Sequence, residues 1–132
     1  MIGLGYIGLP TAALIANKGF SVSGVDINEK ILATIKEGKI HIVEADLGDF
    51  VKSAILKGQL KVFNKIQLSD VYMICVPTPF HKNGDIPKPN IDYVISATKS
   101  IAPFIKQGDL IVLESTSPVG TTEKIKETLI DN

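Results

Sequence analysis

Apolar side chains recur at spacings of three and four in several stretches, separated by short runs in which nearly every position is apolar. Leu9, Ala12, Ala13 and Ala16 make a small-residue stripe that predicts a helix over residues 7–18, with Pro10 tolerated in its first turn and Gly19 as the left-handed stop. Ile31, Leu32 and Ile35 predict a second helix over residues 28–37, capped by Asn28 and ended by Gly38. Leu47, Phe50, Val51, Ala54 and Ile55 predict a third, closed by Gly58. Between them lie strand-like runs at residues 20–26 and 60–63. The charge-free run Val71-Tyr72-Met73-Ile74-Cys75-Val76 and the run Leu110-Ile111-Val112-Leu113 read as buried parallel strands. Residues 82–89 read as a surface loop, and Asn90 as the cap of a helix over residues 91–105 that Gly108 closes. A last helix is predicted over residues 122–130.

The resulting order, β-α-β-α-α-β-β-α-β-α, implies a Rossmann-type α/β fold: a doubly wound, mostly parallel sheet between helical layers. Its first strand is truncated, because only Met1 and Ile2 precede Gly3, whereas strands ordinarily run about five or six residues. Loops after Ile2, Val76 and Leu113 should converge on one edge of the sheet, where such folds place ligands.

Chemistry enters at the first of those loops. Gly3-Leu4-Gly5-Tyr6-Ile7-Gly8 is a Gly-x-Gly-x-x-Gly turn opening into a helix. Gly3 permits the bend out of the strand, Gly5 lets a pyrophosphate approach the backbone, and Gly8 lets helix and sheet lie close. The unpaired N–H groups of the first helical turn then face the anion. Asp26, 18 positions after Gly8, stands at the tip of the next strand. There a carboxylate can accept hydrogen bonds from the adenosine ribose and repel a 2′-phosphate, which selects NAD over NADP. A turn aspartate leading into the next helix is the other reading of the same residue. Thr78 and Pro79 lie just beyond a strand's carboxyl end, either as cofactor contacts or as an ordinary proline-rich loop.

Composition narrows the field. The 132 residues suit one domain, and 45% hydrophobic with 21% charged residues suffices for a core. Basic and acidic residues balance at 14 each, which gives no field favouring nucleic acid or an anionic membrane. Every basic residue is a lysine, so no guanidinium fork is available to clamp a phosphate monoester. Residues 1–17 carry no charge, but they lack a cationic start and are broken by three glycines and Pro10, unlike a signal peptide or a membrane span. One cysteine, Cys75, permits no internal disulfide and fits a cytoplasmic protein. It lies inside a strand and reads as core. His41 and His81 have no partners at metal-ligand spacing, so no metal is expected. Glu44 and Asp46 read as a helix start rather than as an acid/base pair.

Taken together, Gly3-Leu4-Gly5-Tyr6-Ile7-Gly8-Leu9-Pro10, Gly24-Val25-Asp26, Val76-Pro77-Thr78-Pro79 and Glu114-Ser115-Thr116 with Gly120-Thr121-Thr122 resemble the NAD-binding domain of the UDP-glucose/GDP-mannose dehydrogenase family. Within it, residues 41–47 and 114–120 look most like the branch acting on UDP-N-acetyl-D-mannosamine. The resemblance implies that residues 1–132 are the NAD domain of a longer enzyme whose substrate and central dimerisation domains lie elsewhere. Such enzymes oxidise a UDP-sugar C6 alcohol to a carboxylate in two hydride transfers to NAD, through a thioester on a cysteine later in the chain. By the same resemblance Gly3, Gly5, Tyr6, Ile7, Gly8, Asp26, Thr78, Pro79 and Thr116 contact the cofactor, and Thr116 helps hold a catalytic water. It also implies a homodimer when full length, and no activity in this chain alone. The alternatives are the NAD domain of a hydroxyacid-type dehydrogenase and a non-catalytic NAD-sensing module.

Overall fold

The computed structural model describes residues 1–81 and 88–131. In chain order the elements are α1 (Gly8–Asn17), β1 (Val22–Val25), α2 (Glu29–Lys36), α3 (Leu47–Leu56), β2 (Leu60–Phe63), β3 (Val71–Ile74), β4 (Phe80–His81), β5 (Lys88–Pro89), α4 (Asp92–Ile101), a 3-10 turn (Ala102–Phe104), β6 (Leu110–Leu113) and α5 (Thr121–Ile130). β1 pairs in parallel with β2, and β3 with β6. Ile2 bridges both pairs, to Val25 on one side and Ile74 on the other.

The sheet order is therefore β2-β1-Ile2-β3-β6, with the direction of winding reversing at Ile2. Short as it is, the first strand keeps ladder bonds on both sides: Ile2 N donates to Met73 O at 2.8 Å and Gly3 N to Val25 O at 2.8 Å. It also receives bonds on both sides, from Cys75 N to Ile2 O at 2.7 Å and from Val25 N to Met1 O at 2.8 Å. Right-handed crossovers running outward from this point put the helices of the two halves on opposite faces.

Two hydrophobic cores follow from that winding. One joins Leu4 with the α1 stripe Leu9, Ala12, Ala13 and Ala16, with Leu32 and Ile35 of α2, with Val51 and Ala54 of α3, and with strand residues Val22, Leu60 and Val62. The alanines allow α1 to lie close, and Asn17 ties its end to α3 by donating to Phe50 O at 2.8 Å and accepting from Ser53 Oγ at 2.8 Å. The other core joins Ile2, Tyr72 and Ile74 to Val94, Ala97 and Ile101 of α4 and Ile125 of α5.

Four expectations need correction. β6 is not a buried strand here: among the described residues its sheet neighbour is β3 alone, Leu110 is 56% exposed and the rest of the strand is half-buried. The helix expected over residues 91–105 ends at Ile101, because Pro103 has no N–H to give the Lys99 carbonyl and tightens the chain into a 3-10 turn. Lys88 and Pro89 are paired antiparallel with His81 and Phe80 rather than forming a loop; the remainder of that expected loop lies outside the described residues. Phe50 was expected on the buried stripe of α3 but is exposed, while Leu47, Val51 and Ala54 carry the contact.

Candidate functional site

The glycine turn sits where the first strand ends. Gly3 has φ +89, and a Cβ there would lie 2.6 Å from the Cys75 carbonyl oxygen, so both backbone and space demand glycine. A Cβ on Gly8 would collide with the Gly3 carbonyl, which closes α1 onto the strand. Gly5 differs from both: beyond its own chain neighbours, nothing lies within 4 Å of the position its Cβ would take. It is bare backbone facing open space, the cradle that a pyrophosphate needs and a side chain would fill.

Leu9 N donates to Gly5 O at 3.1 Å to start the helix. Among the described residues the N–H groups of Gly5, Tyr6, Ile7 and Gly8 have no partner, leaving the positive end of α1 available to an anion. No acidic side chain occupies the first turn of α1. Tyr6, 66% exposed, and Ile7 stand out from the turn into solvent.

Asp26 follows β1 and reaches back to the turn. Its Oδ2 accepts from Leu4 N at 2.9 Å, and its Oδ1 accepts from Asn28 N at 2.8 Å. Asn28 in turn caps α2, accepting from Lys30 N at 3.0 Å. The turn-forming reading of Asp26 thus holds, and it does not exclude the ribose reading. A carboxylate offers about four acceptor positions, of which two are used.

The other two loops meet beside the first. Thr78 Oγ1 donates to Thr116 O at 2.6 Å, and Ser115 Oγ donates to Val76 O at 2.7 Å, so the loops after β3 and β6 are clasped. The Thr116 hydroxyl itself is exposed and has no partner among the described residues. Pro79 is exposed, and its carbonyl accepts from Asn90 N at 2.7 Å, which anchors the start of α4 to the same loop. Three of the expected site groups are therefore brought to one sheet edge: the glycine turn, Asp26, and Thr78 with Thr116.

Sequence reasoning quoted Ser115, Leu4 and Gly24 within its motifs but gave none of them a role. The last two are linked, since a Cβ on Gly24 would lie 3.0 Å from Leu4 Cδ2, and Leu4 is fully buried there. The glycine two positions before Asp26 was the available signal.

Cys75 is buried, with Sγ 3.2 Å from Met1 Sδ. Burial first, and then the negative charge of Glu114, push its thiol up to about 11 from the ordinary value of 9.0, so it carries almost no thiolate near neutrality. Asp46 does precede α3 directly, but with φ 60 and no side-chain cap; aspartate tolerates that left-handed backbone, and the acid in the first turn is Asp49. Among the described residues no group of three His, Cys, Asp or Glu side chains is placed to hold a metal ion, and no helix is long and apolar enough to cross a membrane. His41 Nδ1 is buried without a partner among the described residues.

Comparison with known proteins places this geometry among dehydrogenases. The sequence model described as "UDP-glucose/GDP-mannose dehydrogenase family, NAD binding domain" matches residues 1–132. The UDP-N-acetyl-D-mannosamine dehydrogenase of Escherichia coli (strain K12) is 52% identical over 131 residues, covering 99% of this chain and 30% of its own. The NDP-N-acetyl-D-galactosaminuronic acid dehydrogenase of Ralstonia nicotianae is 47% identical over 129 residues, 98% of this chain and 30% of its own. Among solved structures, the UDP-N-acetyl-mannosamine dehydrogenase Cap5O from S. aureus superposes with a TM-score of 0.93 at 38% identity, covering 99% of this chain and 31% of that one. The chain thus spans about 30% of the length of the curated relatives it matches.

Proposed function

The chain belongs to the UDP-glucose/GDP-mannose dehydrogenase family as its NAD binding domain, and from that premise we propose that it holds NAD for a nucleotide-sugar 6-dehydrogenase. The reaction is oxidation of a UDP-sugar C6 alcohol to the uronate with two NAD, and the sugar is UDP-N-acetyl-D-mannosamine. Identity of 52% to an enzyme named for that substrate favours this sugar, and family membership removes the hydroxyacid-type alternative.

The observation that carries the cofactor reading is the bare Gly5 backbone between unpartnered N–H groups and the Asp26 carboxylate. Gly3, Gly5, Tyr6, Ile7 and Gly8 would hold the pyrophosphate, Asp26 the adenosine ribose, and Thr78, Pro79 and Thr116 the nicotinamide end. NAD, when bound, supplies the hydride acceptor. The chain's own residues orient it, and the free Thr116 hydroxyl is suited to hold a water at the reacting edge.

The nucleophile for the aldehyde lies outside these residues. Cys75, buried and with its thiol pushed up to about 11, is unfit for that role. The substrate-binding and dimer-forming parts belong to the portion that relatives carry beyond this length, in a cytoplasmic homodimer.

The test is calorimetric titration with NAD and NADP, together with NADH absorbance after mixing the chain with NAD and UDP-N-acetyl-D-mannosamine. Binding of NAD, weaker binding of NADP and no turnover by residues 1–132 are expected, with turnover when the domain is joined to the remaining domains of such an enzyme. Equal or tighter binding of NADP would overturn the role of Asp26. Turnover by this chain alone would overturn the assignment of the nucleophile elsewhere.

A further inference from the structure

The residue assigned to the ribose also holds the phosphate-facing turn from behind. Leu4 lies between Gly3, with its φ of +89, and the open Gly5, so the plane of its peptide sets where the following N–H groups point. That residue is fixed at two places. Its side chain is fully buried over Gly24, and its N–H is held at 2.9 Å by Asp26 Oδ2. The other carboxylate oxygen is tied at 2.8 Å to Asn28 N, at the head of α2, so the strut is braced rather than free to swing.

We propose that Asp26 is a positioning residue for the pyrophosphate, acting through the Leu4 N–H, in addition to accepting from the ribose. This rests on the NAD reading above and adds a second consequence for the same carboxylate. The two roles predict opposite signs for a ligand that has phosphates but no ribose. If Asp26 touched only the ribose, its removal would relieve charge repulsion and leave inorganic pyrophosphate bound equally or more tightly. If it also holds the turn, its removal loosens the anion cradle and pyrophosphate binds more weakly.

The experiment is displacement of NAD from the chain by inorganic pyrophosphate, followed by calorimetry in the unmodified protein, Asp26→Ala and Asp26→Asn. Amide hydrogen exchange of Leu4 and of α4 is read alongside. Loss of one hydrogen bond to a charged group should raise the pyrophosphate inhibition constant about tenfold in Asp26→Ala. Asp26→Asn keeps one acceptor oxygen and should fall between, and it carries the test if the alanine variant does not fold. Leu4 exchange should quicken in both variants while α4 amides keep their protection, a local signature that general destabilisation would not produce. Weaker NAD binding with unchanged or tighter pyrophosphate binding would overturn the proposal. Absence of NAD binding by the unmodified chain would instead overturn the cofactor reading on which it rests.

Discussion

Replacing Gly5 separates binding from folding more cleanly than any other change in the glycine turn. Beyond Gly5 and its two chain neighbours no heavy atom lies within 4 Å of the Cβ position, and Gly5 is not among the glycines with positive φ. A side chain there meets neither a neighbour nor backbone strain, so Gly5→Ala should leave stability unchanged or raise it by about 0.4–1 kcal/mol through the unfolded chain. For a domain of this size that is a rise in Tm of roughly 1–5 °C. The binding consequence runs the other way. A Cβ would stand between the phosphates and the unpaired N–H groups, and each hydrogen bond to a charged oxygen contributes about 1.5–3 kcal/mol. Losing one or two of them weakens NAD by roughly 10-fold to more than 100-fold, with the larger side chain of Gly5→Val at the upper end. Gly8→Ala is the contrast, since its Cβ would collide with the Gly3 carbonyl and should lower Tm outright. The assay is calorimetric titration with NAD beside a thermal melt of each variant. A folded Gly5→Val protein with unchanged NAD affinity, or a Gly5→Ala protein with a collapsed Tm, would refute the reasoning.

Other outcomes follow from single contacts. Ser115→Ala removes the 2.7 Å bond to the Val76 carbonyl and should cost about 1 kcal/mol, a Tm lower by roughly 3–5 °C by scanning calorimetry. Thr78→Val should release the loop carrying Thr116 and weaken NAD while leaving Tm nearly unchanged, because the bond lies in the exposed loops. Cys75 should react with a thiol reagent far more slowly than a free cysteine below pH 9, accelerating as pH approaches about 11. The folded protein holds that proton between the ordinary 9.0 and about 11 while the unfolded chain releases it, so stability should fall as pH rises across this window. The fall should be shallower in Cys75→Ala.

Helix positions were legible because packing demands only periodicity. The Leu9, Ala12, Ala13 and Ala16 stripe is buried as spaced, and Gly19, Gly38 and Gly58 all have the positive φ that a helix stop requires. What a one-dimensional pattern does not carry is the number of neighbours a strand has. Leu110-Ile111-Val112-Leu113 reads the same in the middle of a sheet as at its edge, and among the described residues it is paired on one side only. The break at Pro103 was signalled, since proline inside a helical period ends it, yet the expected helix ran through it to residue 105. Loop geometry was the least legible part of the site. The bonds from Leu4 to Asp26 and from Ser115 to Val76 join residues 22 and 39 positions apart, and nothing local announces them. Residue types could nominate Asp26, Thr78 and Thr116, but only closure of the sheet shows that the carboxylate serves the turn and that Thr116 offers its carbonyl to Thr78.

Ile2 and Leu4, separated only by Gly3, belong to different hydrophobic cores, and the first strand is the narrow seam between them. Seams of this kind divide a domain into foldons that open with separate free energies. Native-state exchange on the chain alone should therefore give one opening energy for the amides of α1 and another for those of α4. A dinucleotide running from Asp26 to Thr116 would lie across that seam and bind only when both halves are closed, so saturation with NAD should raise the lower of the two energies toward the higher. On that placement the cofactor would act as a cross-brace as well as a reactant, and the sharpness of the melting transition would become a measure of occupancy.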